Sequence, residues 1–312
     1  MKRLPTLLLS CIMISGIHTV LPADSNQDYL DILKTGSFYA VSSLLIYYVG
    51  YSIPYKWQNV SEPTAGFIRT TWKEQGFANA DNAILKEIPN DSFMAKVVVY
   101  TQELPGGLAV GAPFIKRVEL LLSQRSEVEE ALQKTTQELE HELLQHRLQQ
   151  IEEELNECRF VCGHERVHQE RNHAYHMLLI QCCTPFIVCA TGKYGARLLD
   201  SYQVVPLLAN LLRLRMLHSA AQIGLFWLIA HVYEQQADLH ASKDPHVLQA
   251  GIRLFKRAQQ QKVPEMGPVD YRAKLLSWVI KYTHPVLQER IWYLTLALKK
   301  AGHESSVSQE VF

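Results

Sequence analysis

The distribution of apolar residues begins with two long hydrophobic segments near the start of the chain. Residues 4–21 follow the basic pair Lys2-Arg3 and are apolar apart from Ser, Thr and one His. Residues 1–23 are therefore interpreted as either a signal peptide or a first membrane span. Residues 38–55 contain no charged side chain and have about the length that a span requires, so residues 24–56 form an apolar segment and a possible membrane span.

Short runs of β-branched residues predict a small sheet. Residues 95–100 (AKVVVY) read as a strand. Pro105-Gly106-Gly107 leads into Leu108-Ala109-Val110, which predicts a second strand in a hairpin or meander with the first. Residues 57–91 are polar and mixed, and predict loop with short helices.

Residues 116–157 contain neither Gly nor Pro and predict an uninterrupted helical stretch. Apolar residues recur there mostly at spacings of three, four or seven: Val128, Leu132, Leu139, Leu143, Leu148, Ile151 and Leu155. One interpretation is an amphipathic helix pair that packs on the body of the protein. The other is a coiled-coil arm, inserted at about residues 118–157, for dimerisation or for gating access. Imperfect heptads favour the helix pair.

The C-terminal half predicts further helices. Two apolar stretches, residues 174–192 and 219–233, either cross a membrane or lie buried in protein, and length favours burial for the second. Helical patterns follow at residues 225–239, 246–261, 271–282 and 286–299. Residues 301–312 form a polar tail that is expected to be disordered. The predicted fold class is α+β and mainly helical.

Composition excludes some functions. The 312 residues carry 31 Lys and Arg against 31 Asp and Glu, so the formal net charge is zero and nothing suggests a nucleic-acid partner. The six cysteines do not form a spaced disulfide framework. Cys158 and Cys162 precede His164 at helical spacing and could bind a metal with it, but buried free thiols are the more usual state of such cysteines.

Candidate chemistry lies in His164-Glu165-Arg166-Val167-His168, an HExxH sequence. On a helix, residues at i and i+4 lie about 40° apart around the axis, so both imidazoles can bind one metal ion. Glu165 lies beside them and can act as a general base toward water. With 13 histidines in the chain, the motif needs a third ligand to be convincing.

A second pair of polar residues supplies that ligand. Glu234 and Asp238 are also at i and i+4, in the helical pattern of residues 225–239. A glutamate from a second helix completes a zinc site with the two histidines and leaves one position open. Asp238 can accept the other N–H group of a ligand histidine, most simply His164, and so fix its tautomer. Ala237 permits close approach of the helix.

Two other histidine arrangements are excluded on a continuous helix. His141 and His146 are five residues apart, which separates them by about 140°. His173 lies about 180° from His164 and is expected to be structural or to support a ligand from outside the site. A metzincin pattern would require a Gly at position 171 and a His at position 174, where Arg171 and Ala174 stand.

The sequence HExxHxxxxH (residues 164–173) followed by ExxAD (residues 234–238) resembles the zinc protease family that includes HtpX, the type I CAAX prenyl proteases and soluble periplasmic relatives. Thr283-His284-Pro285 with Glu289-Arg290-Ile291 is similar to a signature near the end of that family's catalytic domain. Residues 105–110 resemble its Gly-rich strand. Two departures stand out: Arg166 and Val167 replace small apolar residues, and Val232-Tyr233 replaces a pair ending in Arg.

The resemblance implies a gluzincin-like metalloprotease domain over residues 57–312, with one Zn²⁺ per chain bound by His164, His168 and Glu234. It implies Glu165 as general base and His284 as donor to the oxyanion. The strand Leu108-Ala109-Val110 is expected to hold substrate. Arg290 is expected either to bind a substrate carboxylate or to brace the helices.

The predicted function is zinc-dependent endopeptidase activity on polypeptides, associated with a membrane and directed at membrane or envelope proteins. The inner membrane is the expected location, with a periplasmic or secreted protein as the alternative after signal cleavage. The alternative function is a catalytically impaired homologue, suggested by Arg166, that acts as a membrane scaffold through its coiled-coil-like segment. Homo-oligomers through residues 118–157 are a further expectation.

Overall fold

The structure, a computed structural model, describes ten parts of the chain. These are residues 29–30, 32–34, 36–37, 40–41, 58–77, 80–88, 95–100, 105–201, 215–260 and 285–309. The predicted signal or span at residues 4–21, nearly all of residues 38–55 and the predicted helix at residues 271–282 lie outside them. The division of the chain at residues 23 and 56 stays a prediction.

The chain separates into two compact units. The first comprises Met1–Ile53 and Tyr175–Ile229, and the second Pro54–Ala174 and Ala230–Phe312. In the first unit, the described residues between 29 and 41 are helical. The second unit holds the sheet and every predicted site residue that the structure describes.

A mixed four-stranded sheet lies in the second unit, with strands β1 (Gln58–Asn59), β2 (Leu85–Ile88), β3 (Ala95–Tyr100) and β4 (Pro105–Gly111). The strand order is β1-β2-β4-β3. The predicted hairpin is the antiparallel pair β3 and β4, whereas β2 and β4 are parallel. The sequence pattern missed β1 and β2, because such short strands carry no clear alternation of apolar and polar residues.

Three helices pack with this sheet: α1 (Glu62–Glu74), α2 (Ala112–Lys134) and α3 (Glu138–Glu170). One hydrophobic cluster joins Trp72 of α1, Val110 of β4, Phe114 of α2 and Leu155 of α3. Each of these side chains is at most 1% exposed. Full burial of a large apolar side chain contributes about 1.5–3 kcal/mol, so this cluster is a principal source of stability for the unit.

Helices α2 and α3 form an antiparallel pair, as in the first interpretation of residues 116–157. Arg117 near the start of α2 contacts Glu154 at 3.3 Å and Glu157 at 2.9 Å on α3. The predicted continuous helix is wrong, because α2 ends where Thr135 adopts an extended conformation. The β-branched Thr135 and Thr136 have lower helix propensity than their neighbours, which explains a break without Gly or Pro. Dimerisation through this segment stays a prediction.

The described residues beyond α3 form four further helices: α4 (His173–Ser201), α5 (Arg215–Leu239), α6 (Pro245–Gln260) and α7 (Leu287–Gln309). A second hydrophobic cluster joins Phe160 of α3 to Phe255 of α6 and Leu294 of α7. The expectation of a disordered tail from residue 301 is wrong, since α7 continues to Gln309. The polar composition of this segment gave no sign that the preceding helix continues through it.

Within the described residues, no single helix combines the length and apolar character of a membrane span. One bent pair, Glu138–Glu170 with Tyr175–Thr191 at 49°, meets the length and composition criteria jointly.

Helix α3 is fixed in position along its last three turns. Trp72 Nε1 donates a hydrogen bond to the Cys162 carbonyl at 2.8 Å. The Phe160 and Phe255 rings meet edge to face with centroids 5.6 Å apart. At Gly163 the helix lies so close to the chain beyond α5 that an added Cβ would lie 1.9 Å from the Ala241 carbonyl oxygen. A glycine is therefore required immediately before His164.

We expect Gly163→Ala to lower the free energy of unfolding by about 1–3 kcal/mol, because the backbone of α3 or of Ala241 must shift to admit the methyl group. Gly66→Ala in α1 is the matched control, since an added Cβ there meets nothing within 4 Å. The control should be neutral or stabilising by up to about 1 kcal/mol. Urea unfolding measures both, and equal stability of Gly163→Ala and wild type would contradict the close approach.

Candidate metal centre

Two helices bring together the residues of the predicted metal site. Helix α3 presents His164 and His168 one turn apart, and α5 presents Glu234 and Asp238 one turn apart. His164, Glu234 and Asp238 are buried, and His168 is half-buried. The two i, i+4 pairs therefore face each other in a largely desolvated position, although neither pair is close to the other in sequence.

The donor atoms have the separations that a tetrahedral zinc site requires. His164 Nε2 and His168 Nε2 are 3.1 Å apart. Glu234 Oε2 lies 3.4 Å from His164 Nε2, and Glu234 Oε1 lies 3.4 Å from His168 Nε2. Ligand atoms at about 2.0–2.1 Å from one ion and at tetrahedral angles are about 3.3–3.4 Å apart. The three residues fit a zinc ion, and among the described residues they are the one group that could hold a metal.

Asp238 lies directly behind His164. Its Oδ1 is 2.8 Å from His164 Nδ1, so Nε2 of the same ring is directed to the other donor atoms. The carboxylate is 0% exposed and also accepts hydrogen bonds from Arg290 Nε at 2.7 Å and from the Tyr293 hydroxyl. Such a contact fixes the tautomer and the ring orientation of a ligand histidine.

The charges around His164 shift its pKa and that of Asp238. Burial opposes the charged form of Asp238, but Arg290 and His164 together hold its pKa below the usual value. Burial likewise opposes the imidazolium form of His164, yet its contacts with Asp238 and Glu234 raise the pKa of the ring to about 10. The two carboxylates thus favour the protonated form of the His164 ring in the metal-free site.

The contacts of Arg290 match the bracing role, one of the two that were expected. Its guanidinium makes a bidentate contact with Asp238, lies 3.8 Å from Glu234 Oε2 and stacks over the Phe255 ring at 4.1 Å. The residue is buried. These contacts support the bracing role, and a part for Arg290 in substrate binding stays a prediction.

Arg166, the unusual residue within HExxH, forms hydrogen bonds at the C-terminal ends of two other helices. Its guanidinium donates to the carbonyl of Gln75 at 2.8 Å, at the end of α1, and to the carbonyl of His240 at 2.9 Å, just beyond α5. Carbonyls at the C-terminus of a helix lack partners within the helix and carry partial negative charge. Arg166 thus joins α1, α3 and α5.

His173 contacts His168, which a continuous helix would not allow. Helix α3 ends at Glu170, Asn172 adopts a left-handed conformation with φ of 52°, and α4 begins at His173. His173 Nδ1 then lies 3.0 Å from His168 Nδ1. His173 is outside the group of metal-binding candidates, as expected, but the premise of one unbroken helix is wrong.

The remaining predicted residues have different outcomes. Glu165 is half-buried on α3 between the two histidines, and its catalytic role stays a prediction. His284 lies outside the described residues. The strand Leu108-Ala109-Val110 cannot hold a substrate backbone, because β4 is paired on both sides and these side chains are at most 1% exposed. That prediction is wrong: the motif identified the strand, but pairing with β2 and β3 places it inside the sheet.

Cys158 and Cys162 are buried and take no part in the candidate metal group. Burial raises the pKa of the Cys158 thiol to about 12, and it raises the pKa of Cys162 well above its usual value. Both cysteines belong to the first hydrophobic cluster. Their surroundings favour neutral thiols, the usual state of buried free cysteines, over metal ligation.

Two tyrosines near the site were missed in the sequence. Tyr293 follows Arg290 by three residues, so the helical spacing of Arg290 and Tyr293 was the available signal for a shared partner. Tyr233 stacks flat on His173, with ring centroids 4.2 Å apart and an interplanar angle of 2°. No spacing rule connects residues 173 and 233, which come together only through the fold.

An HExxH helix, a facing glutamate and a supporting aspartate define the class of metallopeptidases with two histidines and one glutamate at the metal. Residues 139–296, just over half of the chain, match the model of peptidase family M48. The protein belongs to this family of zinc-dependent metallopeptidases. No curated protein and no solved structure gives a significant match.

We expect zinc binding at pH 8 to release about one proton, because the ion requires neutral His164 whereas the metal-free site favours the protonated ring. In the metal-free protein, protonation of His164 stabilises the fold fully below its ordinary pKa of 6.5, and this contribution is lost as the pH rises through about 10. Calorimetric titration with zinc in buffers of different ionisation enthalpy counts the protons.

The Asp238→Asn variant provides the comparison for this measurement. It removes one of the two carboxylates that raise the pKa of His164, so it should release fewer protons than wild type at the same pH. Zinc binding by the wild type without proton release would contradict the assignment.

Proposed function

We propose that this protein is a zinc-dependent endopeptidase with its active site at His164, His168 and Glu234. The observation that carries the proposal is the convergence of the two histidine Nε2 atoms and the Glu234 carboxylate at separations of 3.1–3.4 Å. Membership of peptidase family M48 supports the class of reaction. Asp238 orients the His164 ring, and Arg290 forms hydrogen bonds with Asp238.

Zinc at this position supplies a Lewis acid that activates water and polarises the scissile carbonyl. Glu165 takes one proton from the attacking water onto its carboxylate and delivers it to the leaving amine nitrogen. A C–O bond forms and the peptide C–N bond breaks. The second proton of the water leaves the new carboxyl group and also passes to the amine, so the products are a carboxylate and an ammonium group. His284 is proposed as the donor that stabilises the developing oxyanion.

The edge strand β3 is the proposed binding element for substrate, in place of β4. In the described sheet β3 pairs with β4 on one side and is the last strand on the other. It belongs to the unit that contains α3. An extended peptide can add to such an edge through main-chain hydrogen bonds, which suits an endopeptidase that accepts unfolded or extended segments.

We expect Glu165→Gln to reduce peptide hydrolysis by on the order of 10²- to 10⁴-fold while zinc stoichiometry and folding stay unchanged, because only the proton acceptor is lost. Glu142→Gln, at an exposed position of the same helix, is the matched control and should keep full activity. A casein or self-cleavage assay with metal analysis distinguishes the two variants.

Two results would overturn parts of this scheme. Undiminished proteolysis by Glu165→Gln would exclude the general base. A peptide bound to Glu165→Gln should slow hydrogen exchange at the amides of β3, and protection elsewhere with none at β3 would exclude the edge strand as the binding element.

The alternative of a catalytically impaired scaffold rested on Arg166 as a cation next to the metal. The contacts of Arg166 with the Gln75 and His240 carbonyls give this residue a structural reason for its presence. No other described feature of the site favours impairment, and we therefore favour the active peptidase.

Membrane association is a further part of the proposal. Residues 174–191 and 216–233 contain no Asp, Glu, Lys or Arg. Several of their apolar side chains are exposed, with Ile187 at 60% and Leu228 at 54%. An exposed apolar surface without charges suits the acyl chains of a lipid bilayer. Substrates in or near a membrane would then be within reach.

We expect the full chain to sediment with phosphatidylcholine vesicles, and Ile187→Lys with Leu228→Lys to weaken this binding several-fold. Lysine on an apolar contact surface must be desolvated or drawn out of the bilayer. Leu139→Lys, at an exposed leucine of the α2–α3 pair, is the control. Failure of the wild type to bind vesicles, or equal binding by the double variant, would contradict the membrane surface.

A further inference from the structure

We propose that His173 is a positioning residue for the metal ligand His168, and that Tyr233 holds His173 in place. The proposal rests on the proposed zinc site, since it assigns a partner to the second histidine of that site. His164 has such a partner in Asp238. The structure assigns the corresponding place behind His168 to the imidazole of His173.

The contact between the two rings has the geometry of a hydrogen bond. His168 Nδ1 and His173 Nδ1 are 3.0 Å apart. His168 Nε2 faces Glu234 at 3.4 Å and His164 at 3.1 Å, so in the proposed zinc site this nitrogen gives its lone pair to the ion. The ring proton of His168 must then lie on Nδ1, and His173 Nδ1 must accept it. His173 accordingly carries its own proton on Nε2.

His173 reaches this place because the helix is interrupted between Glu170 and His173. On a continuous helix a residue five positions after His168 would lie about 140° away around the axis. The left-handed conformation of Asn172 ends α3 and redirects the chain, so that His173 comes back against His168. Asparagine tolerates this conformation better than other non-glycine residues.

Tyr233 restricts the orientation of the His173 ring. The two rings are parallel within 2° at 4.2 Å, and His173 is only 3% exposed. Tyr233 immediately precedes Glu234 on α5. Helix α5 therefore supplies both the ligand Glu234 and Tyr233, the residue that packs on His173. A shift of α5 would move both.

The test compares zinc affinities measured by competition with a chromophoric chelator. His173→Phe keeps an aromatic ring on Tyr233 but has no acceptor, and should weaken zinc binding by on the order of ten- to a hundred-fold. His173→Asn should restore the affinity to within a few-fold, because its amide oxygen is as many bonds from Cβ as Nδ1 is. His176→Phe, at an exposed histidine three residues further on, is the matched control and should bind zinc as wild type does.

A spectroscopic measurement on the wild type makes the test independent of whether His173→Phe folds. In the zinc-loaded protein, ¹⁵N correlation spectra of the imidazoles should show His168 protonated at Nδ1 and His173 protonated at Nε2. The opposite tautomer of His173 would overturn the proposal. So would a His173→Phe variant that folds and binds zinc as wild type does, or a His173→Asn variant that loses as much affinity as His173→Phe. Absence of zinc binding by the wild type would instead refute the zinc site itself.

Discussion

The site depends on one buried carboxylate. Asp238 on α5 is 0% exposed and accepts hydrogen bonds from three side chains on two other helices: His164 on α3, and Arg290 and Tyr293 on α7. Helix α5 also carries Glu234. A buried charge without such partners would cost several kcal/mol. The requirement to satisfy Asp238 therefore positions α3, α5 and α7 relative to one another within the second unit.

Contacts made by two further residues fix the position of α3 relative to α1 and the end of α5. Gly163 lets α3 touch the chain beyond α5, and Arg166 donates to carbonyls at the ends of α1 and α5. Both residues flank ligand positions in the HExxH segment. Residues that do not contact a metal thus determine where His164 and His168 lie, and the unusual Arg166 is a structural element of the helix bundle.

The two histidines have different kinds of support. His164 faces an anion, Asp238, which Arg290 in turn neutralises. His168 faces the imidazole of His173. An anionic acceptor makes a ligand histidine more basic than a neutral one does, so the proposed arrangement makes His164 the more strongly donating ligand. It also limits the negative charge next to the ion, which preserves the capacity of zinc to polarise a carbonyl.

The sequence by itself determined the two helical pairs, His164 with His168 and Glu234 with Asp238, because side chains four residues apart share a helix face wherever the helix lies. It also determined the β3–β4 hairpin, the helical class and the family resemblance. Only the tertiary structure decided that β4 lies inside the sheet, that Arg166 bonds to Gln75 and His240, and that His173 meets His168 and Tyr233. The reason is physical: local periodicity follows from the geometry of one helix or strand, whereas these contacts depend on strand order, on a single left-handed residue and on the approach of distant helices.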